Sequence, residues 1–462
     1  MNANATLRLD RVQVRNFRCF AECEVDLHPT LTVIVAENGR GKTALLEAIA
    51  ASLGPYVNAI AGRNLCPALK SSDVRRTRAA DGRMVPAGKA EVSVHGMLEG
   101  QPEAWTVAFG ERASVRDGSG MDAHAKALSA AVHAPTETGA AVLPLVASYP
   151  TSRLWTGSVG AKASQRRRAR TGMWRVEGYA GALTPRVDFD GLTEWYGALT
   201  SALSRGGATA YASESSPMRL IAAVNDAVRV VLRPTGWSGI DYPRNAAVYG
   251  DDTGGFYGLV AEHPDLGRLP LSWLSDGVKN TIALVADIAF RCALLNGHLG
   301  EHAAKFTPGV LLIDEVDMHL HPSWQQQVVG LLQEAFPALQ IVVTTHSPQV
   351  LTTVEAASIR ILEVAHGVGD LHTPTVQTMG VESADVLARI MGVDAIPDVE
   401  AARKLSHYKA LIQQGSADSD EGDALREFLM EHFGAHHPLI VECRRLLRLQ
   451  ELKVRAPAGG KG

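Results

Sequence analysis

The chain has 462 residues, of which 46% are hydrophobic and 20% charged, a balance typical of globular proteins rather than of long disordered tracts. Its formal net charge of −4 means that nucleic-acid binding would have to come from local patches. The five cysteines form no C-x-x-C pair and have no histidine at ligand spacing, which argues against a disulfide framework and a zinc site. Since the N-terminus lacks a signal-peptide core and no apolar run of about 18 residues predicts a membrane span, we expect a soluble cytoplasmic protein without membrane contact.

Residues 31–43 predict a strand, a phosphate-binding loop and the start of a helix. The apolar run 31–35 is followed by the sequence AENGRGKT, after which a helical pattern opens. This order is typical of the phosphate loop G-x-x-x-x-G-K-[ST], except that Ala36 takes the place of the first glycine. In such a loop the backbone N–H groups surround phosphate oxygens, the Lys42 ammonium neutralises the β- and γ-phosphates, and the Thr43 hydroxyl ligates Mg²⁺. A glycine-rich surface turn is the alternative, which the strand before and the helix after disfavour. The predicted nucleotide-binding residues here are Asn38, Gly39, Arg40, Gly41, Lys42 and Thr43.

Strands are also predicted on both sides of this loop, where apolar and polar residues alternate. Residues 7–14 and 22–27 predict two early strands, and residues 90–110 predict an antiparallel hairpin or meander. Residues 112–270 are expected to form a mostly helical insert with one buried strand near 142–147. The basic cluster at 162–170 fits either a contact to DNA or RNA phosphates or a solvated loop, and the lack of interleaved aromatic residues favours the loop.

Three later stretches have the chemistry expected of the rest of a nucleotide site. The sequence LSDG at residues 274–277 precedes a strong helical pattern, and taken alone it is better explained as a helix N-cap. The buried run 310–313 ends at Asp314, which would hold Mg²⁺ through water, and Glu315, which would polarise the attacking water. The buried strand 341–345 ends at His346, which can reach a γ-phosphate. We therefore predict Glu315 and His346 as catalytic residues and Thr43 and Asp314 as magnesium-binding residues.

The order of these motifs resembles that of the ABC-type ATPase heads, the class that includes SMC and RecF proteins. The resemblance implies an α/β fold, with a P-loop ATPase head built on a mixed sheet and an antiparallel β subdomain. It implies that Ser275 and Gly277 contact ATP bound by a second subunit, so that ATP lies between two heads of a homo-oligomer, a dimer or a higher assembly up to a hexamer. Asp317 then belongs to the D-loop, a subunit contact beside the second ATP. A metal site formed with His319 and His321 is the alternative for the same spacing.

More particular phrases resemble the bacterial RecF/OLD-like ATPases related to PtuA, the ATPase of the Septu anti-phage defence system and of some retron systems. They are WLSDG (273–277), DEVDMHLHPSWQ (314–325), TTHSP (344–348), YPTSR (149–153) and the segment 188–196. The resemblance implies a slow ATPase that uses ATP and Mg²⁺, has no nuclease site of its own and regulates a separate HNH nuclease of the PtuB type. Ala36 and the lack of a glutamine at the usual Q-loop position depart from the pattern.

A RecF-like DNA-repair clamp and a self-contained nuclease are the alternative functions. A self-contained nuclease of the OLD type would need a Toprim domain with a D-x-D motif at the end of a strand. The D-x-D that follows His346 comprises residues 418–420 and lies in a polar stretch, so a solvated connector is favoured there over a metal site.

Residues 376–462 are expected to form a helical module separate from the ATPase head at residues 1–375. Four amphipathic patterns occur near residues 383–391, 398–412 and 425–433 and from residue 438 onward. The module has no catalytic constellation, so it would dock the nuclease or a second ATPase subunit, or else only cover the core. Its last helix is basic, which suits an acidic partner surface or nucleic acid.

Overall fold

The computed structural model describes residues 7–66, 69–109, 113–133, 141–153, 175–184, 190–205, 216–243, 258–394 and 396–455. The basic cluster predicted at residues 162–170 lies outside the described residues, as does the beginning of the segment 188–196. The chain divides into two compact units, Met1–Val386 and Leu387–Gly462. The first unit contains every residue predicted for the nucleotide site.

Sixteen strands occur in the described part of the first unit. They are β1 (Leu7–Phe17), β2 (Phe20–Asp26), β3 (Leu31–Val35), β4 (Arg76–Arg78), β5 (Met84–Pro86), β6 (Ala90–Leu98), β7 (Gln101–Phe109), β8 (Ala113–Arg116), β9 (Leu145–Tyr149), β10 (Gly239–Asp241), β11 (Val260–His263), β12 (Gly267–Pro270), β13 (Gly309–Ile313), β14 (Leu339–Thr345), β15 (Ile359–Ala365) and β16 (Val368–His372). Eleven of these strands form one sheet in the order β8-β7-β6-β1-β2-β16-β15-β3-β14-β13-β9. Strands β10-β11-β12 and β4-β5 form two small antiparallel sheets.

The large sheet is mixed, and its two halves follow from two residue patterns. Strands β1, β2, β6 and β7 pair antiparallel and alternate buried with exposed residues, as expected when one face packs on the core and the other faces water. Strands β3, β13 and β14 are buried along their whole length and pair parallel, as expected of strands covered on both faces. The predicted α/β P-loop architecture with a mixed sheet and an antiparallel β part is therefore confirmed.

The helices of the first unit cover this sheet. They are α1 (Lys42–Ala61), α2 (Ser119–His133), α3 (Asp190–Arg205), α4 (Pro217–Leu232), α5 (Asp276–Leu295), α6 (Ala303–Phe306), α7 (Pro322–Ala335) and α8 (Pro348–Leu351). Short 3₁₀ turns occur at Ser71–Asp73, Arg175–Tyr179, Arg233–Thr235, Leu271–Trp273, Gly297–His302 and Ala356–Ser358. The described part of residues 112–270 contains α2, α3 and α4, and β9 occurs where a buried strand was predicted near 142–147. It also contains β8, β10, β11 and β12, which the prediction did not include.

Among the described residues, α1 is the one helix that meets the length and hydropathy expected of a membrane span. By length and composition it could cross a membrane, but 72% of its most apolar window is buried inside the protein. Its inward side chains include Leu45, Ile49 and Leu53, all without solvent exposure. Burying each of them stabilises the fold by about 1.5–3 kcal/mol. Helix α1 is therefore buried as a core helix of this fold.

The second unit is helical in its described residues. Helix α9 (Ser383–Arg389) crosses the division between the units, and α10 (Glu400–Gln414), α11 (Asp420–Phe433) and α12 (Pro438–Arg455) follow. Their apolar faces meet in a small core of Leu405, Tyr408, Ile412, Ala417, Leu429, Ile440 and Cys443. The predicted division after residue 375 and the docking role of this module remain predictions.

The acidic stretch at residues 418–423, expected to be a loop, is a loop only at residues 418 and 419, and α11 begins at Asp420. The Ser419 hydroxyl accepts a hydrogen bond from the Gly422 N–H at 3.2 Å and so caps the helix. Asp420, Glu421 and Asp423 occupy the first turn, where carboxylates interact favourably with the positive end of the helix dipole. Ser419 and Asp420 of the D-x-D sequence therefore serve the start of a helix.

Candidate nucleotide-binding site

The loop between β3 and α1 has the backbone expected of a phosphate cradle. Gly39 and Gly41 have φ values of 77° and 97°, in the left-handed region that favours glycine. A Cβ atom on Gly41 would also lie 2.6 Å from Cys19 Sγ and 2.7 Å from Phe20 Cζ. Gly41 is therefore required both by its backbone conformation and by the close approach of β2 and the turn before it.

Lys42 points back into this loop. Its ammonium donates hydrogen bonds to the Ala36 carbonyl at 2.9 Å and to the Glu37 carbonyl at 3.2 Å, and the residue is only 6% exposed. Burial lowers the pKa of Lys42, and the carboxylates of Asp314 and Glu315 oppose that shift. Ala36 itself has no left-handed φ, so alanine takes the place of the consensus glycine without backbone strain.

Strands β3, β14, β13 and β9 are parallel neighbours, so their carboxyl ends lie at one edge of the sheet. Val35 pairs with Thr345, and Ile313 pairs with Val343 and with Tyr149. The residues that follow these strands are therefore brought to the same place, as ligand-binding residues are in open α/β sheets. This edge contains the phosphate loop, the acidic pair and His346.

Asp314 is bonded on both carboxylate oxygens. The Thr43 hydroxyl donates to Oδ2 at 2.7 Å, and the Thr344 hydroxyl donates to Oδ1 at 2.5 Å. The Asp314 side chain is buried, with 3% of the residue exposed. Hydroxyl and carboxylate oxygens are the ligands that Mg²⁺ prefers, so the donor set formed by Thr43 and Asp314 fits that ion.

Glu315 has an unusual backbone for a glutamate. Its φ of 47° lies in the left-handed region, which non-glycine residues rarely adopt. The Glu315 N–H donates to the Thr344 hydroxyl at 2.8 Å, and the Glu315 carbonyl accepts from the guanidinium of Arg153 at 2.7 Å. The backbone of Glu315 is therefore held on both sides while its side chain is only partly buried.

His346 follows β14 and Asp317 follows β13, and both lie at the same edge of the sheet. The pKa of His346 is lowered, first by burial and then by the Lys42 ammonium, so the ring is neutral at pH 7. Asp317 accepts a hydrogen bond from the Thr345 hydroxyl at 2.6 Å. A neutral imidazole can both donate and accept a hydrogen bond.

The metal-site alternative for Asp317, His319 and His321 finds no support in the described residues. His321 caps α7, where its ring nitrogen accepts from the Ser323 N–H at 3.3 Å. No three His, Cys, Asp or Glu side chains of the described residues group as a metal site. Asp317 and His321 instead have structural partners of their own.

The LSDG segment packs against the loop that follows β13. A Cβ atom on Gly277 would lie 2.3 Å from the His319 carbonyl oxygen, so only glycine allows this approach. Ser275 precedes α5, is exposed, and makes no side-chain capping hydrogen bond. Among the described residues, no hydrogen bond joins Ser275 or Gly277 to the phosphate loop of the same chain.

Two protein-family models match the two halves of this site. The model described as "AAA domain, putative AbiEii toxin, Type IV TA system" matches residues 256–352, and the one described as "AAA domain" matches residues 11–84. The retron Vc95 probable ATPase of Vibrio cholerae serotype O1 biovar El Tor is 37% identical over 163 residues, which are 35% of this chain and 31% of that protein. The Septu protein PtuA of Bacillus thuringiensis is 28% identical over 192 residues, which are 40% of this chain and 46% of that protein.

Over these segments the chain is similar to the retron Vc95 probable ATPase and to the Septu protein PtuA. It spans less than half the length of both relatives. Among solved structures, the SMC head bound to the C-winged helix domain of ScpA has a TM-score of 0.44 at 16% identity, covering 79% of this chain and 98% of that chain.

Tyr149, the first residue of the phrase YPTSR, belongs to a buried polar network. The Tyr149 hydroxyl donates to Asp287 Oδ2 at 2.7 Å, and Arg291 Nε donates to the same oxygen at 2.7 Å. Arg291 also donates to the carbonyls of Gly178 and Ala180. The network joins α5 to β9 and therefore ties the helix that follows LSDG to the strand beside β13.

Sequence reasoning assigned no role to two residues of the site, Thr344 and Arg153. Thr344 is the first of the two threonines that end β14, a signal that was present in the phrase TTHSP. Arg153 ends the phrase YPTSR, but its contact with Glu315 depends on β9 lying beside β13. Strand order is set by long-range packing, so no local pattern predicts it.

Proposed function

We propose that this chain is an ABC-type ATPase that binds and hydrolyses ATP, self-associates around it and regulates a partner HNH nuclease in bacterial anti-phage defence. The observation that best supports ATP chemistry is the 2.7 Å hydrogen bond from Thr43 to Asp314, since it joins the phosphate loop to the acidic pair across 271 residues of sequence. Names of the homologues, one a probable ATPase of a retron and one a Septu protein, support the defence role. We propose a cytoplasmic location on the same grounds.

Each residue of the site has a role in this proposal. The phosphate loop and Lys42 bind the β- and γ-phosphates. Thr43 and Asp314 would hold Mg²⁺, which when bound neutralises the charge of the phosphate oxygens. Glu315 accepts the proton of the attacking water, and the neutral His346 hydrogen-bonds the γ-phosphate. ATP hydrolysis by the purified protein, and its loss on substitution of Glu315, test this assignment.

Self-association is proposed from the exposed Ser275 and from Gly277. The Ser275 hydroxyl makes no capping bond, and the D-loop residue His319 lies against Gly277 in the same chain. This segment and the D-loop, including Asp317, would together face ATP bound by a second subunit.

The substitution Ser275→Arg tests this arrangement. A long cationic side chain would block the approach of a second head, so ATP-dependent self-association should weaken by at least about tenfold. The binding of ATP to the chain's own phosphate loop should stay unchanged. Sedimentation with ATP in a Glu315→Gln background measures self-association, and nucleotide titration measures ATP binding.

Ser201→Arg, on the exposed face of α3, is the matched control. Unaltered self-association of Ser275→Arg would remove LSDG from the subunit contact.

Partner docking is proposed for one face of α12, which we call the basic stripe. It consists of six exposed residues spaced as neighbours on a helix surface: Val441, Arg444, Arg445, Arg448, Leu449 and Leu452. Within the described residues, no carboxylate forms an ion pair with its three arginines. Exposed apolar side chains between unpaired cations fit an acidic protein surface with apolar anchors.

The double substitution Arg445→Glu, Arg448→Glu tests the basic stripe. It should weaken binding to the proposed HNH nuclease partner by about tenfold or more, since two attractive charges become repulsive. ATP turnover of the isolated chain should not change. Arg403→Glu, on the exposed side of α10, is the control for charge reversal. Unaltered HNH binding would exclude the stripe as the docking surface. Loss of ATP-dependent DNA binding instead would favour the RecF-like clamp.

A further inference from the structure

Arg153 is a buried arginine at the edge of the sheet where the candidate site lies. It follows β9 by four residues and is only 4% exposed. Its guanidinium faces backbone oxygen atoms of the acidic pair after β13. Arginines are rarely buried without partners that satisfy their donors, so the contacts of this guanidinium indicate its role.

The guanidinium holds two consecutive carbonyl groups. Arg153 Nη1 donates to the Asp314 carbonyl at 2.5 Å and to the Pro150 carbonyl at 3.1 Å, and Nη2 donates to the Glu315 carbonyl at 2.7 Å. Hydrogen bonds with an ionised donor are stronger than neutral ones, and the planar fork of arginine adds directional specificity. Burial lowers the pKa of Arg153 to about 10, and the nearby carboxylates oppose the shift, so the guanidinium is charged at pH 7.

These hydrogen bonds hold the backbone of Glu315 in a conformation that it would otherwise leave. Glu315 has a φ of 47°, and such left-handed conformations of non-glycine residues persist where their surroundings hold them. Its N–H is held by Thr344 and its carbonyl by Arg153. The hydrogen bonds with Thr344 and Arg153 therefore hold the peptide groups on the two sides of the Glu315 Cα atom. Loss of either bond would let that peptide group rotate and would move the carboxylate.

We propose that Arg153 is a positioning residue that fixes the orientation of the Glu315 side chain for its work as general base. Arg153 acts through the backbone of Glu315, because its Nη1 and Nη2 groups donate to carbonyl oxygens. The inference rests on the proposed ATPase function. It predicts an effect on the rate of the chemical step and none on nucleotide affinity.

The substitutions Arg153→Gln and Arg153→Lys test this role. With Arg153→Gln, kcat per bound nucleotide should fall by about 10- to 100-fold, since a misplacement of about 1 Å at a reacting group costs about 100-fold. The dissociation constant for ATP should stay within about threefold. Arg153→Lys, which keeps the charge but loses the fork, should recover part of the rate. Counting kcat per bound nucleotide removes the contribution of misfolded protein.

Arg175→Gln is the matched control. Arg175 is also buried, with 5% exposure, and donates to the carbonyls of Leu295 at 2.8 Å and Ala141 at 2.5 Å, away from the acidic pair. Both arginine variants should lower the melting temperature, but only Arg153→Gln should lower kcat per bound nucleotide. Equal losses of kcat in both would show that Arg153 is only structural.

A second variant pair separates this inference from the function on which it rests. In a Glu315→Gln background, adding Arg153→Gln should cause no further loss in single-turnover rate, because a residue that acts through Glu315 has nothing left to position. Additive losses would contradict the inference. If the wild-type protein fails to hydrolyse ATP, the proposed function fails. If it hydrolyses ATP and Arg153→Gln keeps full kcat, only the positioning role fails.

Discussion

Glu315→Gln is expected to lower ATP turnover by about 100- to 10,000-fold, the usual contribution of a general base. The amide has nearly the same shape as the carboxylate but cannot accept the proton of the attacking water. The backbone contacts of Glu315 to Thr344 and Arg153 do not involve the side chain, so the loop should keep its conformation. ATP should therefore bind and remain intact.

Single-turnover hydrolysis and recovery of unhydrolysed ATP after gel filtration measure this outcome. The variant should also be held in its self-associated state by trapped ATP. Glu363→Gln, an exposed carboxylate in β15, serves as the control and should hydrolyse ATP normally. Normal turnover by Glu315→Gln would show that another group is the base.

Lys42→Ala is expected to weaken ATP binding by about 100-fold or more, since a hydrogen bond from a charged group contributes about 1.5–3 kcal/mol and the ammonium can make more than one to the phosphates. The Lys42 ammonium lies within hydrogen-bonding distance of the loop carbonyls of Ala36 and Glu37, at the centre of the cradle. Without the ammonium, the carbonyl oxygens of Ala36 and Glu37 would face the negative charge of the phosphates.

Nucleotide titration by fluorescence or calorimetry measures the loss. Lys305→Ala removes an exposed lysine on α6 and should bind ATP as the wild type does. Undiminished affinity in Lys42→Ala would mean that the loop after β3 is not the phosphate site. The same result would remove the basis for the ATPase proposal as a whole.

At Ala36, the backbone conformation does not require the glycine that the sequence consensus has at this position. The sequence has Ala36 where the phosphate-loop consensus has its first glycine. The structure gives Ala36 an ordinary φ, so the glycine of the consensus is not required at this position. Gly41 is different, because both its φ of 97° and the nearby Cys19 and Phe20 side chains exclude a Cβ atom.

The sequence by itself determined the local parts of this protein. A phosphate loop is contiguous, so its residues and flanking strand and helix are visible in one stretch of 13 residues, from 31 to 43. The apolar run ending in Asp314 and Glu315, and the strand ending in His346, were likewise recognisable because burial on both faces leaves an uninterrupted apolar pattern. The four helices of the second unit followed from their amphipathic spacing.

Only the tertiary structure decided which of these parts meet. Three sets of contacts depend on the neighbour order β3-β14-β13-β9. They are the hydrogen bond from Thr43 to Asp314, the bonds of the Thr344 hydroxyl to Asp314 and Glu315, and the bonds of the Arg153 guanidinium to the backbone of the acidic pair. That order results from long-range packing of strands that are almost equally apolar, so no local pattern distinguishes it from other orders. For the same reason the left-handed backbone of Glu315 could not be foreseen, since it is held by residues 29 and 162 positions away in the sequence.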